Sequence, residues 1–162
     1  RDGGQEIGLR ADMAKAAAWV AAQGIGPLIW QESGDGNISG VGEHLADPMA
    51  HGDIVLARKD APASYHLAST VDDAMMGITH VVRGADLRQS TDIHRLLQAL
   101  LGYETPQYHH HKLIFGPDGR RLAKRDNAAA LDGWKETAME GRELADQLRH
   151  DKLPTGYSFG KA

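Results

Sequence analysis

Residues 77–87, Gly77-Ile-Thr-His-Val-Val-Arg-Gly-Ala-Asp-Leu87, decide how this chain folds. Ile78 to Val82 is a β-branched run of the kind that fills a central parallel strand, and it ends in Arg83-Gly84 followed by an acid, Asp86. Open α/β sheets bind ligands outside the carboxyl ends of their strands. An arginine there suits a carboxylate, because its planar fork donates two parallel hydrogen bonds, and Gly84 beside it lets a ligand or backbone come close. A second reading stays open, in which Arg83 forms an internal salt bridge to Asp86 or Asp73.

Strand and helix patterns alternate on either side of this stretch. Residues 8–23 read as a helix, with Leu9, Met13, Ala16, Ala17 and Val20 on one face, stopped by Gly24-Ile-Gly26-Pro27. Leu28 to Trp30 reads as a short strand, and residues 33–49 as an irregular Gly- and Asp-rich loop. Asp53 to Ala57 is a buried-strand pattern, and Tyr65 to Thr70 a second strand after the Ala61-Pro62 turn. Val71 to Met76 is a short helical segment. Ser90-Thr91-Asp92 caps a helix that carries Ile93, Leu96, Leu97, Leu100 and Leu101 and ends at Gly102. Tyr108 to Phe115 is the next strand, closed by Gly116-Pro-Asp-Gly119, and Glu136 to His150 a final helix. Such alternation predicts an α/β fold, a partial parallel sheet with flanking helices.

The 162 residues suffice for one domain with a real core. The chain has no cysteine, which removes disulfides and every thiolate zinc site and fits a reducing compartment. No apolar run approaches the roughly 18–20 residues of a membrane span, and Arg1 to Glu6 lacks the form of a secretory signal. No membrane partner and a cytoplasmic location are therefore expected. The net charge of −4 argues against a general nucleic-acid coat but allows a local basic face.

That basic face is Arg120-Arg-Leu-Ala-Lys-Arg125, four cations in six residues at the mouth of the Pro-Asp-Gly turn. Such a cluster is suited to a triphosphate, and Lys124 could neutralise charge developing on phosphate oxygens. A solvated basic turn is the plainer alternative. The hydroxyl of Tyr65 could touch a substrate, or its ring could be half-buried core. Asp72 and Asp73 diverge on a helix, so only one could face a site. Of His109, His110 and His111, the first and third share a strand face, so at most two could chelate together and no zinc site is expected. A histidine donating to a nucleotide base or ribose is the stronger reading of that triplet.

Taken in order, Tyr65-His-Leu-Ala-Ser-Thr-Val-Asp-Asp-Ala74, the 77–87 stretch, Tyr108-His-His-His111 and Arg121-Leu-Ala-Lys-Arg125 resemble the class I glutamyl-tRNA synthetase family. Arg83 follows Tyr65 by 18 residues and Lys124 follows Arg83 by 41, as that family leads one to expect. The resemblance runs from about His51 to Leu131. It implies a Rossmann-like class I aminoacyl-tRNA synthetase catalytic domain. On this reading residues 1–50 form a helix and connecting region, 51–131 the second half of the catalytic domain, and 132–162 a helical tail. Arg121, Leu122, Ala123, Lys124 and Arg125 then correspond to the ATP-binding KMSKS loop, with Lys124 the catalytic lysine on the phosphates. Alanine at 123 stands where a serine is usual. Tyr65 and Arg83 correspond to the glutamate-binding tyrosine and arginine. Implied partners are L-glutamate, ATP with Mg²⁺, and a tRNA.

The Arg-Gly-Ala-Asp-Leu sequence, with little chain after the basic loop, is similar to the glutamyl-Q tRNA(Asp) synthetase branch of that family. The branch activates glutamate with ATP and transfers it to the queuosine base of tRNA(Asp). A truncated glutamyl-tRNA synthetase charging tRNA(Glu), and a non-catalytic nucleotide- or tRNA-binding remnant, are the alternatives. The family's HIGH motif has no counterpart here, and neither has its Cys-based zinc insertion. The expectation is a carboxyl-terminal part of a longer enzyme that does not activate glutamate by itself. Glutamate-dependent pyrophosphate exchange by the 162 residues alone contradicts that expectation.

Overall fold

The computed structural model describes residues 8–33, 40–123 and 141–160. Two compact units divide the chain, Arg1–His110 and His111–Ala162.

The first unit runs β1 (Leu9–Ala11), α1 (Met13–Ala22), β2 (Ile29–Glu32), β3 (Gly42–Leu45), β4 (Ile54–Ala57), α2 (Tyr65–Met75), β5 (His80–Gly84), α3 (Ser90–Leu101) and β6 (Gln107–His111). Short 3-10 turns occupy Pro48–His51 and Ala85–Leu87. The main sheet has the order β3-β2-β6-β5. β2 runs parallel to β6, Glu32 opposite Tyr108, and antiparallel to β3, Ile29 opposite Leu45. The sheet is therefore mixed, with a parallel part and flanking helices, the expected α/β class.

Several elements depart from the sequence reading. The helix predicted over 8–23 begins at Met13, because Asp12 caps it by accepting the Lys15 N–H at 3.0 Å. Leu9–Ala11 instead pairs antiparallel with β4, and the predicted buried strand 53–57 keeps only Ile54 buried. Tyr65 to Thr70 is helical rather than extended. Ser64 accepts the Leu67 N–H, and the six residues join Val71 to Met75 in one helix, α2. β5 is not central: it is the outermost described strand on its side, and Val82 is 67% exposed. A β-branched run reports a pleated surface with one covered face, and here Val81 and Arg83 take that face while Val82 faces out. The loop predicted over 33–49 contains β3, and its residues 34–39 lie outside the described ones.

α3 ends at Gly102 in the left-handed conformation, as its sequence predicts. Its N-cap is Gln89, with no side-chain bond. Thr91 and Asp92 are used elsewhere: Asp92 accepts the indole N–H of Trp30 at 3.0 Å, and Thr91 turns to Arg83. Met13, Val20, Ile54, Ile93, Leu96 and Leu97 form the core. Each large apolar side chain so buried contributes about 1.5–3 kcal/mol. That packing fixes α3, and with it the polar residues of its first turns, against the sheet.

The second unit holds β7 (Ile114–Phe115), α4 (Gly141–Arg149) and β8 (Ser158–Phe159). The strand predicted over 108–115 is thus two strands, β6 in the main sheet and β7 paired antiparallel with β8. Gly119, at φ +72°, closes the predicted Gly116–Gly119 turn, and its N–H reaches the Gly116 carbonyl at 2.9 Å. The helix predicted over 136–150 is present as α4; residues 136–140 lie outside the described ones.

Candidate functional site

β5 carries Arg83 into the interior, where it is 9% exposed. Its Nε donates to His110 Nε2 at 3.1 Å, Nη1 to His94 Nδ1 at 3.1 Å, and Nη2 to Thr91 Oγ1 at 2.7 Å. The Tyr108 ring centroid lies 5.1 Å from its central carbon, within cation–π range. Among the described residues Arg83 makes no ion pair, so the alternative salt bridge to Asp86 or Asp73 does not form. A buried guanidinium is thus held entirely by neutral groups. Its charge remains available.

These bonds continue as one directed chain. Glu32, at the end of β2, accepts both the His110 backbone N–H at 3.0 Å and its ring Nδ1–H at 2.5 Å. His110 Nε2 must then accept from Arg83, which an imidazolium could not do. On the other side, His94 accepts from Arg83 at Nδ1, so its Nε2–H donates to His66 Nδ1 at 3.1 Å. The two ends are reached through residues 32 and 66, with Arg83 between them.

All three imidazoles are held neutral. Burial, then the Arg83 charge, then His66 push His94 down to about 3. His66 is lowered by burial and by the charges of Arg83 and His51. His110 is lowered by burial, with Glu32 opposing and Arg83 and Arg88 adding to the shift. Although Glu32 and His110 stand at ion-pair distance, the arginine donor at Nε2 decides for the neutral ring. Burial also raises the Tyr108 hydroxyl, which accepts from Gln98 at 3.0 Å. On α2, Asp73 is half-buried and raised by burial while Asp72 is exposed, the divergence expected of neighbours on a helix.

Tyr65 opens α2 with half of its surface exposed, and its ring lies 5.6 Å from His66 and 5.8 Å from His94. Tyr65 and Arg83, 18 residues apart in sequence, therefore flank one imidazole. In the basic loop, Phe115 bridges to Arg121 and the Leu122 N–H reaches the Ile114 carbonyl at 2.9 Å, so Arg121 and Leu122 extend a hairpin of the second unit and Ala123 follows them. Lys124 and Arg125 lie outside the described residues. Sequence reasoning missed Glu32, His66, Thr91 and His94. A signal existed for two of them: Thr91 and His94 stand three apart on α3 and so share a helix face. Nothing local marks Glu32.

Comparison with known proteins settles the lineage. Residues 41–143 match the family described as tRNA synthetases class I (E and Q), catalytic domain. The chain belongs to that family. It is 54% identical over 100 residues to the glutamyl-Q tRNA(Asp) synthetase of Rhodobacter capsulatus, covering 62% of this chain and 35% of the relative. Against the enzyme of the same name from Geobacter sulfurreducens it is 46% identical over 102 residues, covering 63% and 32%. The glutamate–tRNA ligase of Oleidesulfovibrio alaskensis is 39% identical over 108 residues, covering 67% and 22%. The chain thus spans about a third or less of each of these relatives' length. Its matched segment contains Tyr65, Arg83, Thr91, His94 and His110 of this class I synthetase catalytic domain.

Proposed function

We propose that Arg83 and Tyr65 form the glutamate site of a class I synthetase whose full-length form activates glutamate with ATP and transfers it to the queuosine base of tRNA(Asp). The observation that carries this reading is the buried Arg83 guanidinium, which among the described residues bonds only to neutral acceptors. A buried cation without a carboxylate partner is costly unless an anion completes it, and a carboxylate completes a guanidinium with two charge-assisted hydrogen bonds.

In the activation step a glutamate carboxylate oxygen attacks the α-phosphorus of ATP; the new O–P bond forms as the bond to the β-phosphate oxygen breaks, and pyrophosphate leaves. Such a displacement needs positioning and charge stabilisation more than a proton acceptor. Arg83 would hold the amino acid, while Lys124, with Arg121, Leu122, Ala123 and Arg125 around it, would meet the phosphates. Among the described residues no three metal-ligating side chains are gathered into a site. Mg²⁺ would enter with ATP, held by phosphate oxygens and water.

The tRNA(Asp) assignment is supported by the curated glutamyl-Q enzymes, 54% and 46% identical in the two cases above. The glutamate–tRNA ligases, at 39% and 49%, support tRNA(Glu) as the second reading. A charging assay on the full-length gene product separates them. Transfer of labelled glutamate to queuosine-containing tRNA(Asp), and not to tRNA(Glu), is the expected result; the reverse preference overturns it.

A further inference from the structure

A guanidinium offers five N–H donors in one plane. Arg83 commits three of them, to His110, Thr91 and His94. His110 Nε2 and Thr91 Oγ1 stand 3.3 Å apart, so one side of the fork, Nε with its neighbour Nη2, serves both. His94 holds Nη1. Among the described residues one N–H on Nη1 and one on Nη2 remain for a ligand, and two parallel bonds to a carboxylate require the plane of the fork to be fixed.

We propose that His94, braced by His66, is the positioning residue that aims the remaining edge of Arg83 at the substrate carboxylate. The proposal rests on the glutamate reading above. The acceptor facing Nη1 is what suits this role. A carboxylate at position 94 would also hold Nη1, but it would neutralise the guanidinium and compete with the ligand. An imidazole accepts the same hydrogen bond and leaves the charge in place. An imidazole alone is ambiguous, because either ring nitrogen can carry the proton. His66 removes that ambiguity: its Nδ1 accepts the Nε2–H of His94 at 3.1 Å, so the His94 lone pair faces Arg83. The low proton affinity of buried His94 keeps this arrangement intact through the neutral range.

The test reads the arginine directly. In the ¹⁵N-labelled 162-residue chain, exchange between the Nη1 and Nη2 signals of Arg83, assigned by their loss in Arg83→Lys, reports rotation about Nε–Cζ. His94→Leu should speed that rotation at least tenfold, whereas His94→Asn, whose amide oxygen can replace Nδ1 as acceptor, should stay within threefold of wild type. Rotation in His94→Leu within threefold of wild type overturns the positioning role. If the amide spectrum of His94→Leu collapses, His66→Leu decides: faster rotation supports the brace and unchanged rotation overturns it. Glutamate added with ATP to the full-length gene product, labelled and substituted in the same way, separates the two layers. A wild-type Arg83 signal indifferent to saturating glutamate overturns the glutamate reading. A glutamate response that survives intact in His94→Leu overturns the positioning role alone.

Discussion

Arg83 donates through Nη1 to Nδ1 of His94 across 3.1 Å, so a buried guanidinium meets an imidazole where a carboxylate would have neutralised it. Three buried or half-buried histidines surround that contact in the uncharged form, and this has a consequence for stability. In the folded chain His94, His66 and His110 all bind protons less readily than an ordinary histidine, which titrates at about 6.5. The unfolded chain binds the extra protons, so stability is complete above about pH 6.5 and falls as pH drops below it, down to about pH 3 for His94. Each histidine contributes a slope of at most about 1.4 kcal/mol per pH unit, with less from half-exposed His66. Urea unfolding at about pH 5 and pH 7 should differ by about 1–3 kcal/mol in favour of pH 7, a difference that shrinks in His94→Asn. Equal stability at both values contradicts the neutral network.

Arg83→Met removes the donor from His94, His110 and Thr91 at once. Thr91 and His110, 3.3 Å apart, can pair with each other, while His94 Nδ1 is left without a donor. The cost should be about 1–3 kcal/mol in urea unfolding. His94 should also become easier to protonate, since the Arg83 charge is one of the causes that lower it. A histidine NMR titration that leaves His94 unmoved in this variant contradicts the contact.

Leu96 is fully buried on α3, in the core that holds Thr91 and His94 in place. Leu96→Ala should cost about 2–5 kcal/mol. Because the same helix presents His94, the variant should also broaden the His94 ring signals; sharp, unshifted signals contradict the link from core to site.

Arg83 stood out in the sequence as an arginine closing an apolar strand, and the structure buries it at that place. The sequence also placed α3 correctly, since five leucine and isoleucine positions repeat at helical spacing and Gly102 ends them. It misjudged Tyr65 to Thr70 as a strand following the Ala61-Pro62 turn, while Ser64 and the following Val71–Met75 segment favoured helix. Six residues are too few for periodicity to separate the two. Asp12 falls inside the helix predicted over 8–23, yet its carboxylate caps the helix that begins after it. Glu32 was invisible for another reason. Its importance comes from a partner 78 residues away, His110, and no local pattern records a long-range hydrogen bond.

Ser64→Ala tests the corrected reading of that segment. As the N-cap of α2, Ser64 should contribute about 0.5–1 kcal/mol, the low side of the usual range because its bond to Leu67 N–H is 3.4 Å long. A loss in that range, with reduced helical circular dichroism, supports a helix beginning at Tyr65. An unchanged midpoint contradicts it.

Glutamate-dependent pyrophosphate exchange by the full-length gene product, wild type against Arg83→Gln, puts the glutamate site to its most direct trial. Loss of a bidentate, charge-assisted contact should raise the KM for glutamate about a hundredfold or more while the KM for ATP stays within about twofold. An Arg83→Gln enzyme with an unchanged KM for glutamate contradicts the account.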